Sequence, residues 1–362
     1  MTPRQEMYER LPHFVQPFLN WVTAIPHFDT VNQPSKCWTP IADAGLRLLV
    51  GVGSTAAAYY WGSPLLAVFG LVLTVSGMGL VQVQLYHYSS HNMVCRSQWA
   101  NTLLGRAISI IFLLKQWDHY RVEHRQHHWT TKIITEHDEF VQFVVGLCGL
   151  KPGRSIKWLW MRFWLNMFSP IFHMKFLWSR IRNQFFLSHV GYSEIALVYM
   201  VALAVGCMLY PILLLVWVLP LTIFLQMATV FRIVIEHRIP DQKLLDFRTV
   251  ATTFEATNGV FPGSPMPPSC DWYGLIVWAF NMLFVQTFIR LTVLCGDAPT
   301  HDYHHRKPGF NTWRDASFNR LKDKTDFRQI VDYRDVWGLL NAVGDTLTSI
   351  SNAKRDVIQP PR

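Results

Sequence analysis

Charged residues and paired cysteines are scarce in this sequence of 362 residues. Asp, Glu, Lys and Arg make up 16% of the chain, against about a quarter in ordinary globular proteins. Half of the residues are hydrophobic, and the six cysteines are scattered. No two cysteines stand at the CxxC spacing that zinc and redox sites use. The composition is therefore not that of a water-soluble domain, and we expect the cysteines to be reduced residues that pack in the interior.

A signal peptide and a nucleic-acid-binding motif are also missing. The N-terminus, MTPRQEMYERLPHFVQPFLNW, holds acidic residues and three prolines but no apolar core followed by a small-residue cleavage site. The formal net charge is +9, yet no Lys/Arg-rich recognition motif interleaves with the aromatic residues. We expect no cleaved leader and no nucleic-acid partner. The anionic surface that the basic residues are expected to meet is that of membrane lipids.

Long apolar stretches dominate what is present. The first runs from about Leu46 to Leu85 and is interrupted at 61–64, and the second runs from about Ile195 to Ile235 around Tyr210-Pro211. Each is about twice the ~20 residues that one membrane span needs, so each predicts a helical hairpin. A third stretch, Trp272 to Cys295, is long enough to span but contains Asn281, Gln286 and Arg290. We interpret it as a partly embedded or protein-buried helix.

The basic residues predict an orientation for these hairpins. Neither hairpin turn contains Lys or Arg, whereas the connection between the hairpins, 96–182, and the C-terminal segment are both basic. Short loops rich in Lys and Arg stay in the cytoplasm. We therefore predict an all-α integral membrane protein with four transmembrane helices in two hairpins and a cytoplasmic helical cap. The predicted membrane domain is 45–305, between a cytoplasmic or interfacial segment, 1–44, and a cytoplasmic segment, 306–362.

Histidines are clustered in four places on that predicted cytoplasmic side. Nine of the fifteen histidines lie in HYSSH, HRQHH, RIVIEHR and HDYHH. Spacings of three and four residues place imidazoles on one face of a helix. Because the predicted topology puts an even number of crossings between the four places, all of them can meet at one site. The clustered residues are His87, His91, His124, His127, His128, His237, His301, His304 and His305.

The number of clustered histidines indicates two metal ions. Imidazole binds iron, zinc, copper and nickel, so the ligand type alone does not identify the metal. A single zinc takes about three or four protein ligands, whereas nine histidines can serve two metals and leave open positions. Oxidation of an apolar substrate by O2 needs a redox metal, and this favours iron. A membrane zinc hydrolase, a metal-binding receptor or a metal carrier with fewer ligands stays open as an alternative.

Carboxylates near these motifs are candidates for orienting the imidazoles. A ligating histidine usually donates its second N–H to a carboxylate or a carbonyl. Sequence proximity selects Asp118, Glu123, Glu136, Asp138, Glu236 and Asp302. His119 and His137, close to the second motif, are left open as surface residues or as partners of the site. The isolated histidines His13, His27, His173 and His189 are interpreted as structural.

The motifs HYSSH, HRQHH and HDYHH resemble the three histidine boxes of the membrane fatty acid desaturase and hydroxylase superfamily. The segment Arg232 to His237 resembles the extra histidine element that many members carry between boxes two and three. The resemblance implies two iron ions held by all nine clustered histidines, with O2 as co-substrate. It also implies C–H abstraction from an acyl chain or a similar lipid-like substrate. Desaturation is the favoured outcome, and hydroxylation of an apolar substrate at the same metal site is the alternative.

Two features bear on the substrate and the source of electrons. Asn92-Met93-Val94 follows the first box where many members have small residues, and the terminal regions match no subfamily, so the substrate stays open. The chain has no His-Pro-Gly-Gly haem element, no rubredoxin CxxC pair and no GxGxxG fingerprint. We therefore expect a separate electron donor: ferredoxin, rubredoxin, or cytochrome b5 with its reductase.

Overall fold

The computed structural model describes residues 2–32, 34–186, 192–309, 313–326 and 333–354, so His189 lies outside the described residues. The described chain is mostly helical. Its main helices, in chain order, are α1 (Pro3–Arg10), α2 (Gln16–Thr23), α3 (Thr39–Trp61), α4 (Pro64–Ser90), α5 (Gln98–Ile111), α6 (Trp117–His127), α7 (Glu139–Val141), α8 (Ile156–Phe168), α9 (Pro170–Phe186), α10 (Tyr192–Leu209), α11 (Leu214–Glu236), α12 (Gln242–Phe247), α13 (Val250–Glu255), α14 (Trp272–Thr292), α15 (His301–Arg306), α16 (Ala316–Asp326) and α17 (Leu339–Asn352).

Five of the described helices, α3, α4, α10, α11 and α14, are long and apolar enough to cross a membrane. The first four fall in the two stretches that predict hairpins. Pro211 lies in the break between α10 and α11, where its missing N–H and fixed φ disfavour a continuous helix. The fifth, α14, is the stretch interpreted from the sequence as partly embedded. The number of spans therefore stays a prediction.

The hairpin of α3 and α4 is closed by local signals and by close packing. Gly62 ends α3 with a φ of +63°, and the Ser63 hydroxyl caps the first turn of α4 by accepting from Leu66 N–H. A Cβ at Gly51 would lie 2.5 Å from Thr74 N. Glycines at this contact let the two backbones approach closely, as small residues do between membrane helices.

A short parallel sheet departs from the all-α prediction. Strand β1 (Gly259–Phe261) pairs with β2 (Asp335–Trp337), and Gly259 lies opposite Asp335. Parallel strands need a long connection, and no local pattern in either three-residue segment predicts their pairing. An isolated antiparallel bridge joins His237 to Thr257 just before β1. The sheet and bridge therefore tie the C-terminal segment and the end of α11 to one region.

Helix α14 packs against the N-terminal helices. Its Trp278 and Met282 form one buried cluster with Met7, Leu19 and Val22 of α1 and α2. The guanidinium of Arg290 near its end donates to the Trp21 carbonyl oxygen, with Nε 2.9 Å away. The polar residues in this apolar helix thus have partners in the protein.

The segments that carry histidines come from four helices. A π-helical turn, Val81–Tyr86, lies in α4 immediately before His87, and such turns often occur at functional sites. Box two lies on α6 and at its C-terminal end, His237 follows α11, and box three forms most of α15. The surrounding interior is apolar and includes the buried side chains of Tyr88, Trp117, Phe140, Val234 and Cys295.

Candidate metal centre

The structure brings all nine predicted histidines together in two groups. The five-histidine cluster consists of His87, His91, His124, His128 and His304. The four-histidine cluster consists of His127, His237, His301 and His305. Within each cluster the candidate ligand nitrogens lie within 4.8 Å of one another. Eight of these side chains come from the three separate boxes, and His237 completes the four-histidine cluster.

The short distances between ring nitrogens in the five-histidine cluster cannot all be hydrogen bonds. The Nε2 atom of His124 lies 3.2 Å from His87 Nε2 and 3.1 Å from His91 Nε2. It also lies 3.2 Å from His128 Nε2. A ring nitrogen has either one hydrogen or one lone pair, so it cannot bond to three others. Separations near 3 Å instead suit nitrogens that all lie about 2.1 Å from one shared cation.

The four-histidine cluster has the same geometry. His237 Nε2 lies 2.9 Å from His127 Nε2 and 3.0 Å from His305 Nε2. His301 Nε2 lies 3.1 Å from His305 Nε2. The ring centroids of His128 and His305, one from each cluster, are 4.4 Å apart. The two nitrogen sets therefore adjoin, and the donor set fits a pair of neighbouring metal ions.

Each HxxHH motif contributes to both clusters. His124 and His128 belong to the five-histidine cluster, whereas His127 belongs to the other. Box three divides in the same way, because His304 and His305 fall in different clusters. Side chains at successive helical positions point in different directions, and those four apart share a face. One helical turn with the HxxHH spacing thus supplies imidazoles to both candidate metal positions.

Two neighbouring carboxylates orient box two. Asp138 Oδ1 lies 2.7 Å from His127 Nδ1, and Glu139 Oε1 lies 2.6 Å from His124 Nδ1. A carboxylate at Nδ1 holds the proton there and leaves the Nε2 lone pair free for a metal. Asp138 is one of the carboxylates selected by sequence proximity, whereas Glu139 is not. Glu139 directly follows Asp138, which caps α7 by accepting from Phe140 N–H. This adjacency is the sequence feature that indicates Glu139.

Burial controls protonation at the site. It lowers the pKa of His128, His304 and His305 well below the usual value, and neighbouring imidazoles lower it further. Burial also acts to lower the pKa of His127, but the Asp138 carboxylate outweighs it and raises this pKa to about 9. At Glu139 burial acts to raise the pKa, and His124 opposes it, so the pKa falls to about 2. The first three imidazoles are thus neutral, which is the form that binds metals.

The other carboxylate candidates contact different partners. Asp118 accepts from Arg106 Nη2 at 3.1 Å and from Gln116 Nε2 at 2.9 Å. Asp302 accepts from Arg320 at 2.6–3.1 Å, because it points away from the box-three ligands toward α16. Glu236 lies 3.5 Å from Arg232 Nε. Asp118, Glu236 and Asp302 thus contact other residues, whereas Asp138 and Glu139 contact imidazole Nδ1 atoms of box two.

The remaining carboxylate candidates and the described histidines outside the four motifs lie outside both clusters. Glu123 pairs with Lys115, and Glu136 lies 3.4 Å from the exposed His137. His119 and His137 belong to neither cluster. Among the isolated histidines, His27 stacks on Tyr8, His173 contacts Gln226 and the Met167 carbonyl oxygen, and His13 is exposed. These contacts agree with structural roles.

A cavity of about 480 Å³ opens onto the histidines. Its wall includes His87, His124, His127, His237 and His301, so both clusters face it. The rest of the wall mixes apolar and charged side chains, among them Tyr86, Phe140, Phe143, Phe176, Lys115, Arg180, Arg232 and Glu236. The volume lies in the range of about 300–1,000 Å³ that small-molecule sites occupy. A small substrate placed in this cavity would therefore adjoin both clusters.

Membrane-length helices and two adjoining clusters of imidazole nitrogens define an integral membrane protein whose centre suits two metal ions. The family model for fatty acid desaturases matches residues 61–329, which is most of the chain. The chain therefore belongs to the fatty acid desaturase family. Membership makes it an oxidoreductase of a family known for di-iron sites and lipid-like substrates. Comparison with curated proteins finds no match for this chain.

Proposed function

We propose that this protein is a di-iron enzyme that uses O2 to desaturate an acyl chain or a similar lipid-like substrate. The observation that carries the proposal is the pair of adjoining clusters, with five and four histidines. Iron ions held there would supply O2 reduction and the oxidising power for C–H cleavage. Hydroxylation is the alternative outcome, because the same ligands and the same cavity serve either product.

The protein's own residues would hold and shield this chemistry. The nine histidines, His87, His91, His124, His127, His128, His237, His301, His304 and His305, would be the metal ligands. Asp138 and Glu139 would keep the Nδ1 protons of His127 and His124 in place. The aromatic wall of the cavity, with Phe140, Phe143 and Phe176, would place the substrate's C–H bond beside the clusters and limit water.

We further propose that four helices cross the membrane and that α14 lies on the side of the histidines. The middle of α14 packs on α1 and α2, and Trp337 of β2 packs against the same cluster, which includes Met282 of α14. An even number of crossings between the boxes is needed for them to share a site. The basic connection and basic C-terminal segment support a cytoplasmic location for the site and for both termini. The domain division 1–44, 45–305 and 306–362 follows from this topology.

A basic cytoplasmic face would also suit an acidic electron carrier. Complementary charge accelerates the encounter of redox partners. The donor is proposed to be a separate protein of the ferredoxin, rubredoxin or cytochrome b5 type. Membrane lipids are the remaining proposed partner.

Metal content and O2 consumption, measured together on detergent-purified protein with a chemical reductant, test the proposed function. We expect about two iron ions per chain and reductant-dependent O2 uptake. His127→Ala combined with His128→Ala removes one ligand from each cluster and should abolish both. His137→Ala is the matched control, because His137 lies close in sequence but is exposed and outside both clusters.

Two outcomes would contradict the proposal. Zinc in place of iron, without O2 uptake, would move the assignment to a membrane zinc hydrolase or a metal-binding receptor. Full iron content in the double variant would show that the two clusters are not the metal site. If iron and O2 uptake are both found, mass spectrometry of lipids from cells that express the protein separates a new double bond from a new hydroxyl group.

A further inference from the structure

Two buried arginines lie in the wall of the cavity that faces the histidine clusters. Arg180 of α9 is 6% exposed and Arg232 of α11 is 4% exposed. Both line the same cavity as His87, His124 and His237. Removing a guanidinium from water is costly unless an anion or several hydrogen bonds compensate. Their surroundings therefore indicate what the cavity is built to bind.

Three of the four acidic residues of this wall pair with other residues: Glu123 with Lys115, Glu139 with His124, and Asp297 with the Tyr88 hydroxyl. The fourth, Glu236, lies 3.5 Å from Nε of Arg232. Within the described part of the chain, Arg180 has no carboxylate partner, and its contact is the Phe176 ring, 4.2 Å from its Cζ atom. Arg232 Nη1 is likewise a buried nitrogen without a hydrogen-bond partner among the described residues. Hydrogen-bond donors at both arginines are thus left for a ligand.

Arg180 remains a cation in this setting. Burial lowers its pKa to about 9, and the nearby Arg232 lowers it while Tyr86 raises it. A pKa of about 9 leaves the guanidinium protonated at neutral pH. A planar guanidinium binds a carboxylate or a phosphate through two parallel hydrogen bonds. The missing partner is therefore an anion with at least two oxygen atoms.

We propose that Arg180 and Arg232 Nη1 bind a carboxylate of the substrate. The substrate class is then a free carboxylic acid with a compact acyl chain, which enters the cavity whole and is oxidised near its acid end. A neutral hydrocarbon or a neutral lipid ester would leave Arg180 and Arg232 Nη1 without an anion, whereas a phospholipid or a CoA thioester would present a phosphate, which the test below separates from a carboxylate. The site of oxidation rests on the proposed function, whereas the binding of the anion does not require the metals.

Equilibrium binding to the purified, iron-loaded protein in lipid nanodiscs tests this assignment. The probes are radiolabelled decanoate, monodecyl phosphate and decanol, which share one chain and differ in the head group. We expect saturable binding of decanoate, weakened at least about tenfold by Arg180→Gln, since a charge-assisted bidentate pair is lost. Decanol binding should be the same in both proteins. Arg182→Gln is the matched control, because Arg182 lies on the same helix and is exposed.

Several results would overturn the assignment. Equal decanoate affinity for the wild type and Arg180→Gln would remove Arg180 from the site. Decanol binding as tight as decanoate binding would remove the anion requirement. Tighter binding of monodecyl phosphate would replace carboxylate by phosphate as the recognised group.

A measurement on the wild type decides the matter if Arg180→Gln does not fold. The arginine reagent phenylglyoxal should modify Arg180 more slowly with decanoate present than with decanol, as followed by peptide mass spectrometry. Equal rates would overturn the proposal. Iron content and O2 uptake are measured separately, so that carboxylate binding without iron contradicts only the proposed function. Iron and O2 uptake without carboxylate binding contradict only this inference.

Discussion

At the scale of single residues, two adjacent acids contact histidines of different clusters. Asp138 contacts His127 of the four-histidine cluster, and Glu139 contacts His124 of the five-histidine cluster. Asp138 also accepts backbone N–H groups from Ile134 and Phe140, so its position is fixed by the turn it closes. One short segment therefore contacts the Nδ1 atom of a candidate ligand in each cluster.

Asp138→Asn should weaken iron binding at the four-histidine cluster. The amide keeps the oxygen that caps α7 but loses the charge that holds the Nδ1 proton of His127, and loss of such a partner typically costs about 10–100-fold in metal affinity. Iron retained after dialysis against a graded series of chelator concentrations measures the change. Glu136→Gln, at a residue whose neighbour is the exposed His137, is the control. Equal iron retention in the two variants would show that Asp138 does not support a ligand.

The ligand candidates were the most predictable part of the site. Spacings of three and four define a helical face without reference to the rest of the chain, so eight of the nine histidines could be selected from sequence in this way. His237 stands alone and was selected from its place at the end of the fourth predicted helix and from the family resemblance. The carboxylates could not, because closeness in sequence does not give the direction of a side chain. Asp302 adjoins His301 in sequence and yet pairs with Arg320 of α16. Only the fold determines which acid reaches an imidazole.

At the scale of elements, the two helices of the first hairpin, α3 and α4, are held together by close packing. The backbones approach at Gly51 and Gly70, where a Cβ on either glycine would meet the facing helix. Such contact is the main source of attraction between helices in lipid, where the hydrophobic effect does not drive them together. His87 and His91 lie at the far end of this hairpin, so its geometry is transmitted to the five-histidine cluster.

Gly51→Val should destabilise the protein by about 1–3 kcal/mol, as overpacking of an interior contact usually does. A Cβ at this position would lie 2.5 Å from Thr74 N and 2.6 Å from its hydroxyl oxygen. Gly53→Val introduces the same side chain into the same helix, where a Cβ meets no atom within 4 Å. Thermal unfolding in detergent compares the two. A fall of the midpoint for Gly53→Val as large as that for Gly51→Val would argue against the packing contact.

Strand β2 contributes an ion pair whose effect on stability depends on pH. Asp335 lies 2.7 Å from Arg320 Nη2 and 2.7 Å from Lys324 Nζ. Burial acts to raise its pKa, but Arg320 and then Lys324 outweigh burial, so the pKa lies below the ordinary value. A carboxyl whose pKa is lowered by folding stabilises the protein above its unfolded pKa of about 3.9, and this contribution disappears as pH falls through the folded pKa.

Wild type should therefore be more stable than Asp335→Asn at neutral pH, and the difference should shrink only below about pH 4. Unfolding midpoints of the two proteins at several pH values between neutral and acid check this sign. A difference that is already lost near pH 6 would mean that another group controls the effect. A difference that grows on acidification would contradict the lowered pKa.

At the scale of the whole molecule, the open question is how the chain crosses the membrane. Hydropathy selects two hairpins and a fifth candidate, α14, which is as long and apolar as a span. Sequence alone could not show that α14 packs along α1 and α2, because these contacts join distant parts of the chain. For the same reason the pairing of β1 with β2 was not foreseen. Local patterns predicted the helices, and long-range contacts decided their arrangement.

Cysteine labelling on either side of α14 tests the proposed topology. Cys270 precedes α14 and is exposed, and Lys354→Cys follows α14 at an exposed position. If α14 does not cross the membrane, a membrane-impermeant maleimide should reach both from the cytoplasmic side in sealed vesicles. Ser63→Cys, in the turn between α3 and α4, should react only from the opposite side. Peptide mass spectrometry identifies the labelled sites, and labelling of Cys270 and Lys354→Cys from opposite sides would place a crossing on α14.

The division of each HxxHH motif between the two clusters has a mechanical consequence. His127 and His128 are consecutive, as are His304 and His305, and each pair spans the boundary between the clusters. Neighbouring Cα atoms are about 3.8 Å apart across a rigid peptide bond. The backbone therefore limits, at two points, how far the two nitrogen sets can move apart. Movement of the helices can shift candidate ligands such as His91 and His237 without separating the Cα atoms of these consecutive pairs.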